Sequence, residues 1–179
     1  MSDLGAVFSR VIRAAQVKQG RHEHVVTASA AECAALAAAF GLPGIAALRG
    51  KFTLAHESGG VISAELVLSA RVTQICVITL EPFDQEVAEV AALRFIPAAR
   101  VPESADFSAP VDAETLAGPD EIIYSGETID LGAALAEQLA LALEPYPKRP
   151  GAELPAEVLD TGAENPFAVL GVRRGKAEG

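Results

Sequence analysis

Three histidines and two cysteines carry most of the metal, nucleophilic or acid–base chemistry open to this chain of 179 residues. His22 and His24 have the spacing that puts two side chains on one face of a strand, so together they could hold a metal. No third ligand is specified near them, and they read as exposed strand histidines. Cys33 and Cys76 lie far apart, neither with a Cys or His at ligand spacing, and read as separate reduced thiols. Cys33 is expected as a small buried residue of a helix and Cys76 as a core residue on a strand. Glu81, Asp84, Glu86 and Glu89 could supply a carboxylate pair, and Glu81, Asp84 and Glu86 a divalent-metal site, which is the basis of an alternative reading as a metal-dependent hydrolase or nuclease. Acids flanking a proline turn such as Glu81-Pro82 are, however, ordinarily solvated. The chain has no GxxxxGK[ST] phosphate loop, GxGxxG, GxSxG elbow or HExxH. It also has no RNP-like aromatic run or zinc-knuckle spacing for nucleic acid. No catalytic residue, metal or cofactor is therefore expected, and the chain does not read as an enzyme.

The elements that would position these residues are legible from local pattern. Phe8 to Val17 and His22 to Thr27 fit two short strands with a turn at Gln19-Gly20. Ser29 with Glu32 three residues later predicts a capping box, opening a helix whose face is Cys33, Leu36, Ala37 and Phe40 and which Gly41 and Pro43 stop. From Ala46 to Ile96 the texture turns β-branched and alternating, with a hairpin turn at Ser58-Gly59-Gly60, and predicts an antiparallel meander of about four strands, because the connections are too short for helical crossovers. A long acidic loop follows, then a short strand at Glu121 to Ser125. Asp130 should cap a second helix in which Leu131, Leu135, Leu139 and Leu143 recur every four residues as a packing stripe against the sheet. Asn165, Pro166 and Phe167 have the cap, first-turn and anchor types of a short C-terminal helix. The fold class is α+β, with residues 1–150 as one domain and 151–179 as a flexible linker carrying that helix and a basic tail.

Charge is segregated along the chain. The net charge is −10, and no Lys or Arg occurs between Arg100 and Lys148 while acids recur from Glu103 to Glu144. Such a block repels phosphate backbones and suits a basic protein partner. Positive charge collects at Arg10, Arg13, Lys18 and Arg21 and again at Arg173, Arg174 and Lys176, where contact with RNA would fall. No export signal and no membrane-length apolar run is visible, so a cytoplasmic location without membrane contact is expected.

Several segments in fixed order resemble the YceD family, the large ribosomal RNA subunit accumulation proteins. They are Phe8-Ser-Arg10, Gln74-Ile-Cys-Val-Ile-Thr-Leu-Glu-Pro-Phe83, Glu127-Thr-Ile-Asp-Leu131, Glu137-Gln-Leu-Ala-Leu-Ala-Leu143, Pro145-Tyr-Pro147 and Asn165-Pro-Phe-Ala-Val-Leu170. The resemblance implies a non-catalytic ribosome biogenesis factor promoting accumulation of large-subunit (23S) ribosomal RNA, with that RNA or a basic large-subunit ribosomal protein as partner. It singles out Ser9, Arg10, Gln74, Cys76, Thr79, Leu80, Glu81, Pro82, Asp130, Glu137, Gln138, Pro145, Pro147, Asn165, Pro166 and Phe167 as motif and interaction candidates. Many members carry C-x-x-C in the middle motif and further cysteines after the proline turn, a metal-binding pattern. Here Thr79 takes the second position and Pro145 to Gly151 holds no cysteine, which resembles an alphaproteobacterial branch. The middle motif is then expected to be a packed strand and turn, stiffened by Pro82, that the sheet presents on the side away from the leucine-striped helix.

Overall fold

Ser29 caps its helix as its spacing with Glu32 requires: its hydroxyl accepts the Glu32 N–H and its own N–H donates to the Glu32 carboxylate. The helix spans Ala30–Phe40 and ends at Gly41, whose φ of 66° places it in the left-handed region that stops helices. A computed structural model describes residues 4–17, 20–101 and 118–153. Within them the chain forms α1 (Leu4–Val7), β1 (Val11–Arg13), β2 (Arg21–Thr27), α2 (Ala30–Phe40), β3 (Gly44–His56), β4 (Ile62–Ile75), β5 (Pro82–Pro97), β6 (Asp120–Tyr124), β7 (Thr128–Asp130) and α3 (Leu131–Ala142). The fold is α+β, as expected. No helix among the described residues is long and apolar enough to cross a membrane.

Alternation decides which face of the sheet is buried. On β4, Ile62, Ala64, Leu66, Leu68, Ala70 and Val72 are buried while Glu65, Val67, Ser69 and Arg71 between them are exposed. The five-stranded sheet runs β2-β3-β4-β5-β6, antiparallel except for β6, which lies parallel to β5 with Leu93 opposite Asp120. The hairpin at Ser58–Gly60 joins β3 to β4 where glycines were expected to turn the chain, and Gly59 and Gly60 both have positive φ. The meander itself has fewer and longer strands than expected, with β5 continuous from Pro82 to Pro97.

The leucine stripe packs as its four-residue spacing dictates. Leu131, Leu135 and Leu139 are fully buried against the sheet, each side chain contributing about 1.5–3 kcal/mol by leaving water. A Cβ on Gly50 of β3 would stand 2.7 Å from Leu135 Cδ1, so the glycine is what lets α3 lie directly on the strand. No described helix covers the other face, where Arg49, Lys51, Ser69, Arg71, Glu86 and Ala88 are exposed.

The N-terminal strands depart from expectation. β1 and β2 do not form a hairpin: β1 pairs antiparallel with β7, Val11 opposite Asp130, as a separate two-stranded ribbon. The physical reason lies with Asp130, which anchors the segment before β1 to the start of α3.

Candidate functional site

The residues singled out in the sequence gather into two clusters. The first is a clip between the N-terminus and α3. Asp130 Oδ1 accepts the N–H groups of Gly132 and Ala133 as the helix cap, at 2.9 and 3.1 Å, and also the Arg10 N–H at 2.8 Å. Its Oδ2 accepts the Ser9 hydroxyl at 2.5 Å. Arg10 then turns to α2, donating through both terminal nitrogens to the two Glu32 oxygens at 2.8 and 2.9 Å, with its guanidinium 4.9 Å from the Phe8 ring centre. That fork, with the Ser29 amide second, lowers the Glu32 pKa to about 2. Ser9, Arg10 and Asp130 are thus occupied in holding α2, α3 and β1 together. Glu32 and Gly132 belong to the same clip, and no sequence pattern linked them to it.

The second cluster lies where β4 ends. Cys76 is fully buried but sits one residue beyond β4, as the first residue of the loop to β5. Its N–H donates to Glu81 O and its carbonyl accepts the Leu80 N–H, closing the loop on itself at 2.9 Å in both cases. The proline turn after α3 seals it: Val77 N–H donates to Pro147 O at 2.9 Å, Arg149 N–H to Cys76 Sγ at 3.4 Å, and the Arg149 guanidinium pairs with Glu81 at 3.0 Å. Gln74, buried on the same side, donates to Glu144 O at 3.2 Å, and its Oε1 is buried without a partner. Pro82 opens β5 opposite Ile75, Pro147 is buried and Pro145 exposed. The expected presentation of Cys76 away from the helix is therefore reversed, because the end of α3 and the turn after it close over the thiol.

This cage sets the chemistry of the sulfur. The Arg149 amide, then the Thr79 amide, direct their N–H dipoles at the thiol and lower its pKa to about 6 against the opposing effect of burial. The Thr79 hydroxyl adds to the lowering, although it makes no hydrogen bond of ordinary geometry. A single soft donor ringed by amide donors does not make a metal site, and among the described residues no three His, Cys, Asp or Glu side chains converge. The acids around the turn are engaged one by one: Glu81 with Arg149, Asp84 with the Thr73 hydroxyl at 2.8 Å, and Glu86 with Arg71 at 3.4 Å.

The folded-state pKa of Cys76 lies below the usual thiol value of 9.0, so its contribution to stability is complete above that value and is lost as pH falls toward about 6. Thiolate absorbance at the sulfur should accordingly titrate with a midpoint near 6, and the stability gap between the protein and its Cys76→Ala variant should narrow on acidification. An ordinary thiol titration would mean that the amides do not cage the sulfur.

The same closed loop forces Leu80 outward. Leu80 is the one non-glycine residue with positive φ among the described residues, at 58°, and its side chain is 76% exposed. Tyr146, at 72%, and Val77 and Ile75, at 44% and 42%, are exposed around the same turn. Of the remaining candidates, Gln138 is buried and donates to Asp120 at 3.1 Å, tying β6 to α3, while Glu137 is exposed. Asn165, Pro166 and Phe167 lie outside the described residues.

A family model described as "Large ribosomal RNA subunit accumulation protein YceD" matches residues 64–170, more than half of the chain and including the whole Cys76 cluster. No curated protein and no solved structure gives a significant match.

Proposed function

From the premise that the chain belongs to the YceD family, whose description is large ribosomal RNA subunit accumulation, we propose that it is a non-catalytic biogenesis factor for large-subunit (23S) ribosomal RNA that works through the exposed rim around Leu80. The observation that carries this reading is the conformation of Leu80 itself. A bulky L-residue in the left-handed region costs about 1–2 kcal/mol, and here no burial offsets it. Strain of that kind, held by the locked Cys76 backbone, fits a side chain kept available for a partner. In this reading Cys76, Thr79, Glu81, Pro82 and Pro147 hold the loop, while Leu80, Val77 and Tyr146 make contact.

The partner is a basic large-subunit ribosomal protein or the ribosomal RNA it covers. The unbroken acidic stretch from Asp120 to Glu144, with no Lys or Arg in it, favours the protein. Exposed on the surface, the pair Leu80→Asp and Tyr146→Ser should change folding stability by no more than about 0.5 kcal/mol per site. In cells that rely on this chain, however, large-subunit particles and 23S RNA should fall as far as they do on deleting the gene. Particle profiles that deletion leaves unchanged would remove the role. Loss on deletion but not in the variant would keep the role and move the contact surface elsewhere.

A further inference from the structure

The two sheets leave a slot between them that is open to backbone hydrogen bonding on both sides. The ladder of β2 with β3 includes the bond from Ala28 N–H to Leu48 O, so the residues in step with Ala28, namely Val26, His24 and His22, turn their backbone groups toward β3. Glu23, Val25 and Thr27 therefore turn theirs outward. The same argument holds for β1: Leu131 N–H bonds Arg10 O and Ala14 N–H bonds Glu127 O, so Ile12 faces β7 while Val11 faces away. Between these free edges lies a cavity of about 390 Å³, lined by Val11, Ile12, His24, Val25 and neighbouring residues. Arg10 Nη2 donates to the outward Thr27 O at 3.4 Å, so that carbonyl at the end of β2 is engaged and the free outward groups are those of Glu23 and Val25.

We infer that this slot accepts one extended, acid-bearing segment of a partner protein, which adds a strand between β1 and β2 and joins the two sheets. Alternating outward N–H and C=O groups are the complement of a polypeptide backbone; the carbonyls would repel a phosphate chain. Val11 and Val25, 58% and 53% exposed, offer apolar contact along the slot. Charge selects the side chains of the guest. Lys51 is neutralised by Glu23 at 2.6 Å, whereas Arg13 on β1 and Arg21 on β2, the two strands that border the slot, have no carboxylate partner among the described residues, in a chain of net charge −10. This inference is independent of the Leu80 rim and of which large-subunit component that rim engages.

Hydrogen exchange on the full chain tests it, because the outward amides of Val11, Glu23 and Val25 report directly on the slot. The probe is a short peptide in which glutamate alternates with valine and threonine. It should slow exchange at those three amides by at least about tenfold while leaving His24 and Val26 unchanged. A lysine counterpart should give no such protection. Val25→Pro removes an outward N–H that no β2–β3 bond uses, and should abolish the effect without lowering the melting temperature. Arg13→Glu with Arg21→Glu should transfer the preference to the lysine peptide. The inference is overturned if the glutamate peptide protects nothing, or if an oligoribonucleotide protects the same amides better. It is equally overturned if those amides are already slow in the free chain, since the slot would then be filled by the chain's own residues.

Discussion

Asp130→Ala should be among the most damaging substitutions at any exposed or half-buried position, lowering stability by about 3 kcal/mol, or roughly 10 °C in melting temperature for a domain of this size. One carboxylate accepts from Gly132, Ala133, Arg10 and Ser9. Losing an N-cap alone costs about 1 kcal/mol, and each hydrogen bond to a charged acceptor adds about 1.5–3 kcal/mol before compensation by water. Asn at this position keeps one acceptor oxygen for the amides and should recover more than half of the loss. Thermal unfolding of the two variants checks this, and equal destabilisation by Ala and Asn would show that the amide donors contribute little. The Ser9→Ala variant should be non-additive with Asp130→Ala, because both remove the same 2.5 Å bond.

The second large effect is expected at Gly132. By helix propensity alone, alanine at this position would be favoured by up to about 1 kcal/mol. The structure reverses that sign. A Cβ would meet Arg10 N at 2.7 Å, Ser9 C at 2.8 Å and Ser9 Cα at 2.9 Å, all backbone atoms that no rotamer change can move aside. The N-terminal segment must shift, at the upper end of the about 1–3 kcal/mol usual for overpacking, and the net loss should be about 2 kcal/mol. Amide exchange distinguishes this from general destabilisation: Leu131, whose N–H bonds Arg10 O, should lose protection before the sheet does. A stabilised Gly132→Ala protein would mean that the approach of Ser9 is looser than described.

What the sequence made legible here was local. Ser29 with Glu32, Asp130 before its leucines, and Gly59 with Gly60 each act within a few residues, so spacing alone identifies them. Alternation on β4 likewise separates the buried face from the open one. Contacts between distant segments left no such trace. Nothing about Val11 indicates that its partner is Asp130 and not the next strand, and nothing about β6 marks it as parallel to β5. At the candidate site, the resemblance drew attention to Cys76, Thr79 and the Pro145 to Pro147 turn without relating them. Their closure depends on backbone groups of Arg149, Glu81 and Leu80, which every residue type except proline carries and no residue pattern can signal. Gly132 left a faint mark, a glycine in the first turn of an otherwise strong helix.

The Ser9 to Asp130 clip has a consequence for the order of events during synthesis. The β3–β4–β5 meander is joined by short turns, so its pairings need only nearby residues and can form as soon as those emerge. The Ser9 hydroxyl and the Arg10 amide, by contrast, have no partner until the chain has grown past residue 130. The Ser9 to Arg13 segment is thus made well before it can dock, and until then β1 stays without β7 while Arg10 is held by Glu32 and Thr27. A nascent chain would present that basic segment to its surroundings until β7 and the first turn of α3 have emerged.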